Sequence, residues 1–274
     1  MKNRASTIEL IALIVLFLGI TTFTVAGFAA RVWAPPVASA HGGGVDSVIH
    51  YLMLSTGGVL VIGTLIIVTL LWRYGRGRPA ARPEASARAE RWWSLTPVVA
   101  IAVLAEVGVL AKGLPVWEMI YGAAPPEALV VEVTAQQFEW IVRYPGPDGT
   151  FGRTRPALVH GAANPAGLDA EDSAAVDDVV ARGALHLPAG RPVLLRLQAR
   201  DVLHSFSIPA FRVKQDVVPG MVIPTQFVPT VIGRYEIACA ELCGAAHYKM
   251  RGRVIVHSPE EYAAWLSTQV GFFQ

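Results

Sequence analysis

Two runs of this chain, residues 10–30 and 48–72, contain no charged side chain. About 20 apolar residues in helical form span the hydrocarbon core of a bilayer. Both runs are long enough to cross, and a buried helix of a soluble domain has little use for so long a charge-free surface. A third stretch, from Trp92 to about Tyr121, is predominantly apolar, with Glu106 and Lys112 inside it. Trp33, Trp72, Trp92, Trp93 and Trp117 stand near the ends of these runs, at the headgroup level that amphipathic rings prefer. Of the 274 residues only 16% are charged, against roughly 25% in an average soluble domain. The chain is therefore read as membrane-anchored, and its net charge of +2 excludes a nucleic-acid partner, whose phosphates call for a dense basic surface.

The loops set the orientation. Arg73, Arg76, Arg78, Arg82, Arg88 and Arg91, against Glu84 and Glu90, lie between the second and third runs, so this loop is cytoplasmic by the positive-inside rule. Lys2 and Arg4 place the N-terminus on the same side, and residues 41–47 carry no Lys or Arg. Everything after about residue 122 is then extracytoplasmic. Residues 1–40 have two readings. They are a retained span, or a signal peptide ending at the small-x-small triplet Ala38-Ser39-Ala40. Residues 41–122 form a transmembrane helix hairpin under either reading.

Residues 123–274 read as one all-β domain. The runs 129–134, 138–144, 193–199, 226–231, 234–238 and 253–257 are short and rich in β-branched or aromatic residues, with Gly and Pro between them. Many short strands with regular turn signals imply a sandwich or barrel. Residues 150–184 break the pattern, with Asp169, Glu171, Asp172, Asp177 and Asp178 among Ala, Gly and Pro. They read as a solvated acidic insertion, with a cation-binding loop or a docking patch as alternatives. Near the C-terminus Ser258, Pro259 and Glu261 form a helix-start signature. Tyr262, Trp265 and Leu266 fall on one face of the short helix that follows.

The two cysteines carry the chemistry. They stand in Cys239-Ala240-Glu241-Leu242-Cys243-Gly244-Ala245-Ala246-His247-Tyr248-Lys249-Met250. Thiolate, imidazole and thioether together suit copper, and a loop between two strands can wrap one site with several ligands. A mononuclear blue-copper site uses one Cys, two His and an axial Met. Two cysteines four apart point instead to a pair of bridged copper ions. His247 and Met250 supply one terminal nitrogen and one weak axial donor, and the backbone carbonyl of Glu241 can supply another. His204, in Asp201-Val202-Leu203-His204-Ser205-Phe206-Ser207-Ile208-Pro209, is the candidate second histidine. A Cys239–Cys243 disulfide is the competing reading in an extracytoplasmic domain, but it would leave His247 and Met250 without a purpose.

The spacing Cys-x3-Cys-x3-His-x2-Met, with Glu between the cysteines, resembles the dinuclear copper (CuA) motif of cytochrome c oxidase subunit II. Residues 201–209, then Lys214-Gln215-Asp216 and Val218-Pro219-Gly220, are similar to that family's first-histidine region, and the likeness runs over about residues 45–257. It implies a cupredoxin-like β-barrel or sandwich behind the helix hairpin, in a multi-pass protein of a bacterial-type inner (plasma) membrane. It implies CuA ligation by His204, Cys239, Glu241 through its carbonyl, Cys243, His247 and Met250. It further implies a Mg²⁺ shared with subunit I, with Glu241 as a ligand. The expected partners are oxidase subunit I, with haem and CuB, further oxidase subunits, and a separate c-type cytochrome as electron donor. Function follows as an expectation: electrons accepted at CuA pass to haem in subunit I, where oxygen is reduced to water with proton translocation. Glu90, seven residues before Pro97, maps to the entrance of a proton path.

The chain departs from the family at three points. Phe138 occupies the position at which electrons enter in many members, with Trp140 nearby, where a Trp is usual. Met221 replaces the Arg that many members carry after Pro-Gly. No Cys-x-x-Cys-His motif is present, so no cytochrome c domain is fused to this chain. A nitric oxide reductase using CuA and a membrane-anchored copper carrier are the alternative functions. Glu106 is costly deep in a span and reads as a structural hydrogen bond, a protonated group or a participant in proton traffic. His41, His50, His160, His186 and His257 show no ligand spacing.

Overall fold

A computed structural model describes residues 7–30, 34–75 and 86–274. Lys2, Arg4, Trp33, Arg76, Arg78, Arg82 and Glu84, used above for topology, lie outside the described residues. The chain divides into two units, one of Met1–Ala34 with Asp46–Pro115 and one of Pro35–Val45 with Val116–Gln274.

The first unit is helical. Helices α1 (Thr7–Ala29), α2 (Gly42–Tyr74) and α3 (Ala87–Tyr121) are each long and apolar enough to cross a membrane. At 33 residues, α2 extends about 50 Å, well beyond the roughly 30 Å hydrocarbon core. Its ends therefore reach past the bilayer interior, and Arg73 falls in its last turn. Side chains such as Phe23, Ile62 and Val98 face outward, as lipid-facing residues should. Several contacts between helices are polar. Thr21 Oγ1 lies 3.0 Å from Thr64 Oγ1, Lys112 Nζ donates to Ser47 Oγ, and Tyr51 donates to the Leu104 carbonyl. Small polar side chains of this kind join helices where apolar packing offers no advantage over lipid. Glu90 is exposed in the first turn of α3, where the helix dipole favours an acid. Glu106 is exposed midway along the same helix.

The second unit is a sandwich of two five-stranded sheets. One has the order β3-β2-β1-β5-β8 and the other β4-β10-β9-β6-β7. The strands are β1 (Leu129–Gln136), β2 (Glu139–Tyr144), β3 (Val179–Arg182), β4 (Ala184–Pro188), β5 (Val193–Ala199), β6 (His204–Ile208), β7 (Val213–Val217), β8 (Ile223–Phe227), β9 (Gly233–Cys239) and β10 (Arg251–His257). Alternation places Val131, Val133 and Ala135 of β1 inward. They meet Trp140, Leu195, Leu197, Phe206, Ile208, Ile237 and Val254 in one continuous core, as two inner faces of a sandwich require. Helix α4 (Pro259–Ser267) starts with the full capping box of Ser258 and Glu261. It buries Tyr262 and stacks Trp265 on His186.

Two expectations change. Residues 226–231 are not a strand: β8 ends at Phe227, and Val228 turns away to accept a hydrogen bond from Ala40. His204 opens β6, in the sheet opposite that of β5. The acidic insertion is not simply solvated. Asp169 and Asp178 are buried. Asp169 lies 2.9 Å from both Arg153 and Arg155, and Asp178 lies 3.7 Å from Arg143. The insertion ends in β3, which pairs with β2.

Candidate metal centre

Strands β6 and β9 are antiparallel neighbours, with Phe206 opposite Cys239. This register brings His204, at the start of β6, beside Cys239, at the end of β9. The chain beyond Cys239 is tied back to both sides. Ala240 N–H donates to the Ser205 carbonyl and Cys239 N–H to the Met250 carbonyl. A short 3-10 turn, His247–Lys249, closes the loop and returns Met250 to the core.

The result is a ring of donors around two sulfurs. Cys239 Sγ and Cys243 Sγ are 3.8 Å apart, and both cysteines are free and buried. Cys239 Sγ lies 3.9 Å from His204 Nδ1 and 3.2 Å from the Glu241 carbonyl oxygen. Cys243 Sγ lies 3.6 Å from His247 Nδ1 and 3.7 Å from Met250 Sδ. His204, Cys239 and Cys243 offer ligand atoms within 4.8 Å of one another. All six residues named from the sequence therefore converge. The sulfur separation is below twice a thiolate–metal bond of about 2.3 Å, so both thiolates can reach one ion. The set of two thiolates, two imidazole nitrogens, a thioether and a carbonyl is soft and suits copper. Burial pushes the Cys243 thiol up to about 11, with the neighbouring Cys239 adding to the shift. Metal binding here must displace protons.

Three supporting residues carry no motif signal. With its Nε2 protonated, His204 donates to Asp201 Oδ1 at 2.8 Å, which leaves Nδ1 with its lone pair toward the cysteines. Such partners fix the tautomer and orientation of a ligating imidazole. Asp201 also accepts from the backbone N–H groups of Gln137 and Val202, each at 2.7 Å. Burial opposes its charge, but these hydrogen bonds outweigh it and hold the carboxyl below its ordinary range. The Gln137 side chain donates to the Cys243 carbonyl at 2.6 Å. Gly244, at φ +136°, makes room for the neighbouring ring: a Cβ there would stand 3.2 Å from Phe138 and 2.7 Å from Gln137 Nε2. Asp201 lies inside the run quoted around His204, but only the fold shows its contact.

The two aromatic candidates separate. Phe138 is half-buried over the copper loop, whereas Trp140 is fully buried behind it, edge-on to His204 and Phe206. The surface around the loop is largely apolar, with Leu242 and Tyr248 strongly exposed and Val202 and Leu203 partly so. Many carboxylates elsewhere on the domain are matched locally, as in Glu139 with Arg182 and Glu236 with Arg251.

A two-sheet domain whose strand ends gather cysteine, histidine and methionine behind apolar helices defines a membrane-anchored protein of cupredoxin type. The model of the family "Cytochrome C oxidase subunit II, periplasmic domain" matches residues 169–258. The alternative cytochrome c oxidase subunit 2 of Bradyrhizobium diazoefficiens is 39% identical over 243 residues, covering 88% of this chain and 85% of that protein. A cytochrome c oxidase subunit 2 of Thermostichus vulcanus is 38% identical over 170 residues, covering 62% of this chain and 40% of that protein. Among solved structures, the periplasmic domain of cytochrome oxidase subunit II from Bradyrhizobium japonicum aligns with 53% of this chain and 96% of that domain, at 27% identity and a TM-score of 0.39. The chain belongs to the cytochrome c oxidase subunit II family.

Proposed function

We propose that this chain is the electron-receiving subunit of a membrane-bound haem–copper oxidase, with a dinuclear CuA centre held by His204, Cys239, the Glu241 carbonyl, Cys243, His247 and Met250. The observation that carries the reading is the pair of buried free cysteines 3.8 Å apart, ringed by two imidazoles, a thioether and a carbonyl. Copper held there would supply one-electron chemistry, with a c-type cytochrome as the source of electrons and haem in subunit I as their destination for oxygen reduction.

The residues of this chain do the rest. β6 and β9 fix His204 and Cys239 by register, and Asp201 holds the His204 ring with its lone pair inward. Backbone bonds at Ala240 and Cys239 keep the loop from relaxing when its charge changes, so little rearrangement accompanies electron transfer. Burial of both cysteines and Met250 excludes water from the sulfurs. Phe138, packed over Gly244, is the ring through which electrons enter, because Trp140 does not reach the surface. The donor docks on the apolar rim of Leu242, Tyr248, Val202 and Leu203. Glu241 contributes a Mg²⁺ ligand at the contact with subunit I, and Glu90 stands at the entrance of a proton path used by the assembled oxidase for proton translocation. The three apolar helices anchor the protein in a bacterial inner membrane with the β unit outside.

The test is purification from membranes under mild detergent. A haem-containing multi-helix partner should copurify, and the complex should reduce oxygen with a c-type cytochrome as donor. A copper-loaded protein that never associates with a haem subunit would overturn the reading. Nitric oxide reduction without oxygen reduction would move it to the other class of partner enzyme.

A further inference from the structure

The segment that leaves the first helix is built into the β unit as a strap. Ala38 N–H donates to the Ala210 carbonyl at 2.8 Å, and the Ala38 carbonyl accepts from Thr230 N–H at 2.9 Å. Ala40 N–H donates to the Val228 carbonyl at 3.0 Å. Ser39 pairs with Pro229 as an antiparallel bridge, and its hydroxyl donates to the Phe211 carbonyl at 2.7 Å. The Arg212 guanidinium donates to the Pro35 carbonyl at 2.9 Å. Ala38, Ser39 and His41 are 2%, 4% and 2% exposed, and Ala38 belongs to the same apolar core as Phe211 and Phe227. The chain then turns tightly: Gly42 N–H bonds back to the Ser39 carbonyl, and a Cβ on Gly42 would stand 2.5 Å from Val37 and 2.9 Å from the Ser39 hydroxyl.

The same three residues, Ala38-Ser39-Ala40, have the small-x-small form that a leader peptidase reads. We propose that they are a structural strand and not a processing site, and that any proteolytic maturation of this chain ends before Pro35. A cut after Ala40 would remove a core residue. It would also strip partners from the carbonyls of Ala210 and Phe211, both buried. Buried backbone groups without partners are strongly disfavoured. The residues that satisfy them cannot also be discarded.

The subunit purified from membranes in its assembled complex is examined by N-terminal sequencing and intact mass. The mature chain should begin at or before Pro35. A chain beginning at His41 overturns the proposal. Ala40 is exposed, so Ala40→Leu should fold, while a bulky residue at the last position of a small-x-small site blocks cleavage there. Wild type and Ala40→Leu should share one mature N-terminus; a longer mature chain in the variant overturns the proposal. Ser39→Ala, which loses the bond to Phe211, should lower the thermal midpoint for loss of the copper chromophore by about 2–4 °C. An unchanged midpoint would remove the structural role.

Discussion

Replacing Asp201 by Ala tests whether the fold, and not the ligand set alone, makes the copper site. The carboxylate receives three hydrogen bonds, from His204 Nε2 at 2.8 Å and from the Gln137 and Val202 N–H groups at 2.7 Å. A hydrogen bond to a charged group contributes about 1.5–3 kcal/mol. The Asp201 side chain is 31% exposed while His204 is fully buried, so the lower end applies. That corresponds to about a tenfold loss of copper affinity, within the range of about 10–100-fold for residues that orient metal-ligating histidines. Asp201→Asn keeps an oxygen for His204 in the same place but without the charge, and should lose clearly less than Ala. Affinity is measured by competition with a copper chelator, read from the thiolate–copper absorption. An Asp201→Ala protein with wild-type affinity and an unchanged spectrum would show that Asp201 does not position His204, or that His204 is not a ligand.

Phe138→Ala should slow electron transfer from the reduced donor, followed by stopped-flow, with the copper spectrum intact; an unchanged rate would place the entering electron elsewhere. Copper loading of the apo protein should release protons and strengthen with rising pH toward about 11, because burial holds the Cys243 thiol protonated. A pH-independent affinity would contradict this. Burial raises Asp178 to about 6, against the pull of Arg143. The folded state thus keeps a proton that the unfolded chain loses near 3.8. The stability this group contributes is full below about 3.8 and is lost as pH rises through 6. Asp178→Asn should therefore gain on wild type between pH 4 and 6 and hold a constant margin above, by at most about 3 kcal/mol. Thermal melts across that range check it, and parallel curves would refute it.

The membrane helices and the copper loop were legible because their signals are local. A charge-free run states its own length, and five of the six ligands of the site fall within twelve residues. The capping box of Ser258 and Glu261 was legible for the same reason. What the sequence hid was assembled across distance. Asp169 and Asp178 looked like solvent-facing charges because the arginines that accompany them into the interior lie 14 to 35 positions earlier. Val228, Pro229 and Thr230 looked like strand continuation, but the backbone there serves residues 38–40, whose small side chains resemble a cleavage site. Asp201, in the loop between β5 and β6, and Gln137, in the turn between β1 and β2, support the centre from loops far apart in the chain. Trp140 and Phe138 are two residues apart in chain, yet Trp140 lies within β2, which is buried from Trp140 to Tyr144, while Phe138 lies in the turn before the strand and stays near the surface.

The central claim is that two coppers share the sulfurs of Cys239 and Cys243. Electron paramagnetic resonance of the purified, copper-loaded protein tests it most directly. A mixed-valence pair gives a multi-line hyperfine pattern from one electron shared between two equivalent nuclei, and it should disappear in Cys239→Ser and in Cys243→Ser. A four-line spectrum from a single copper in the wild-type protein would contradict the account.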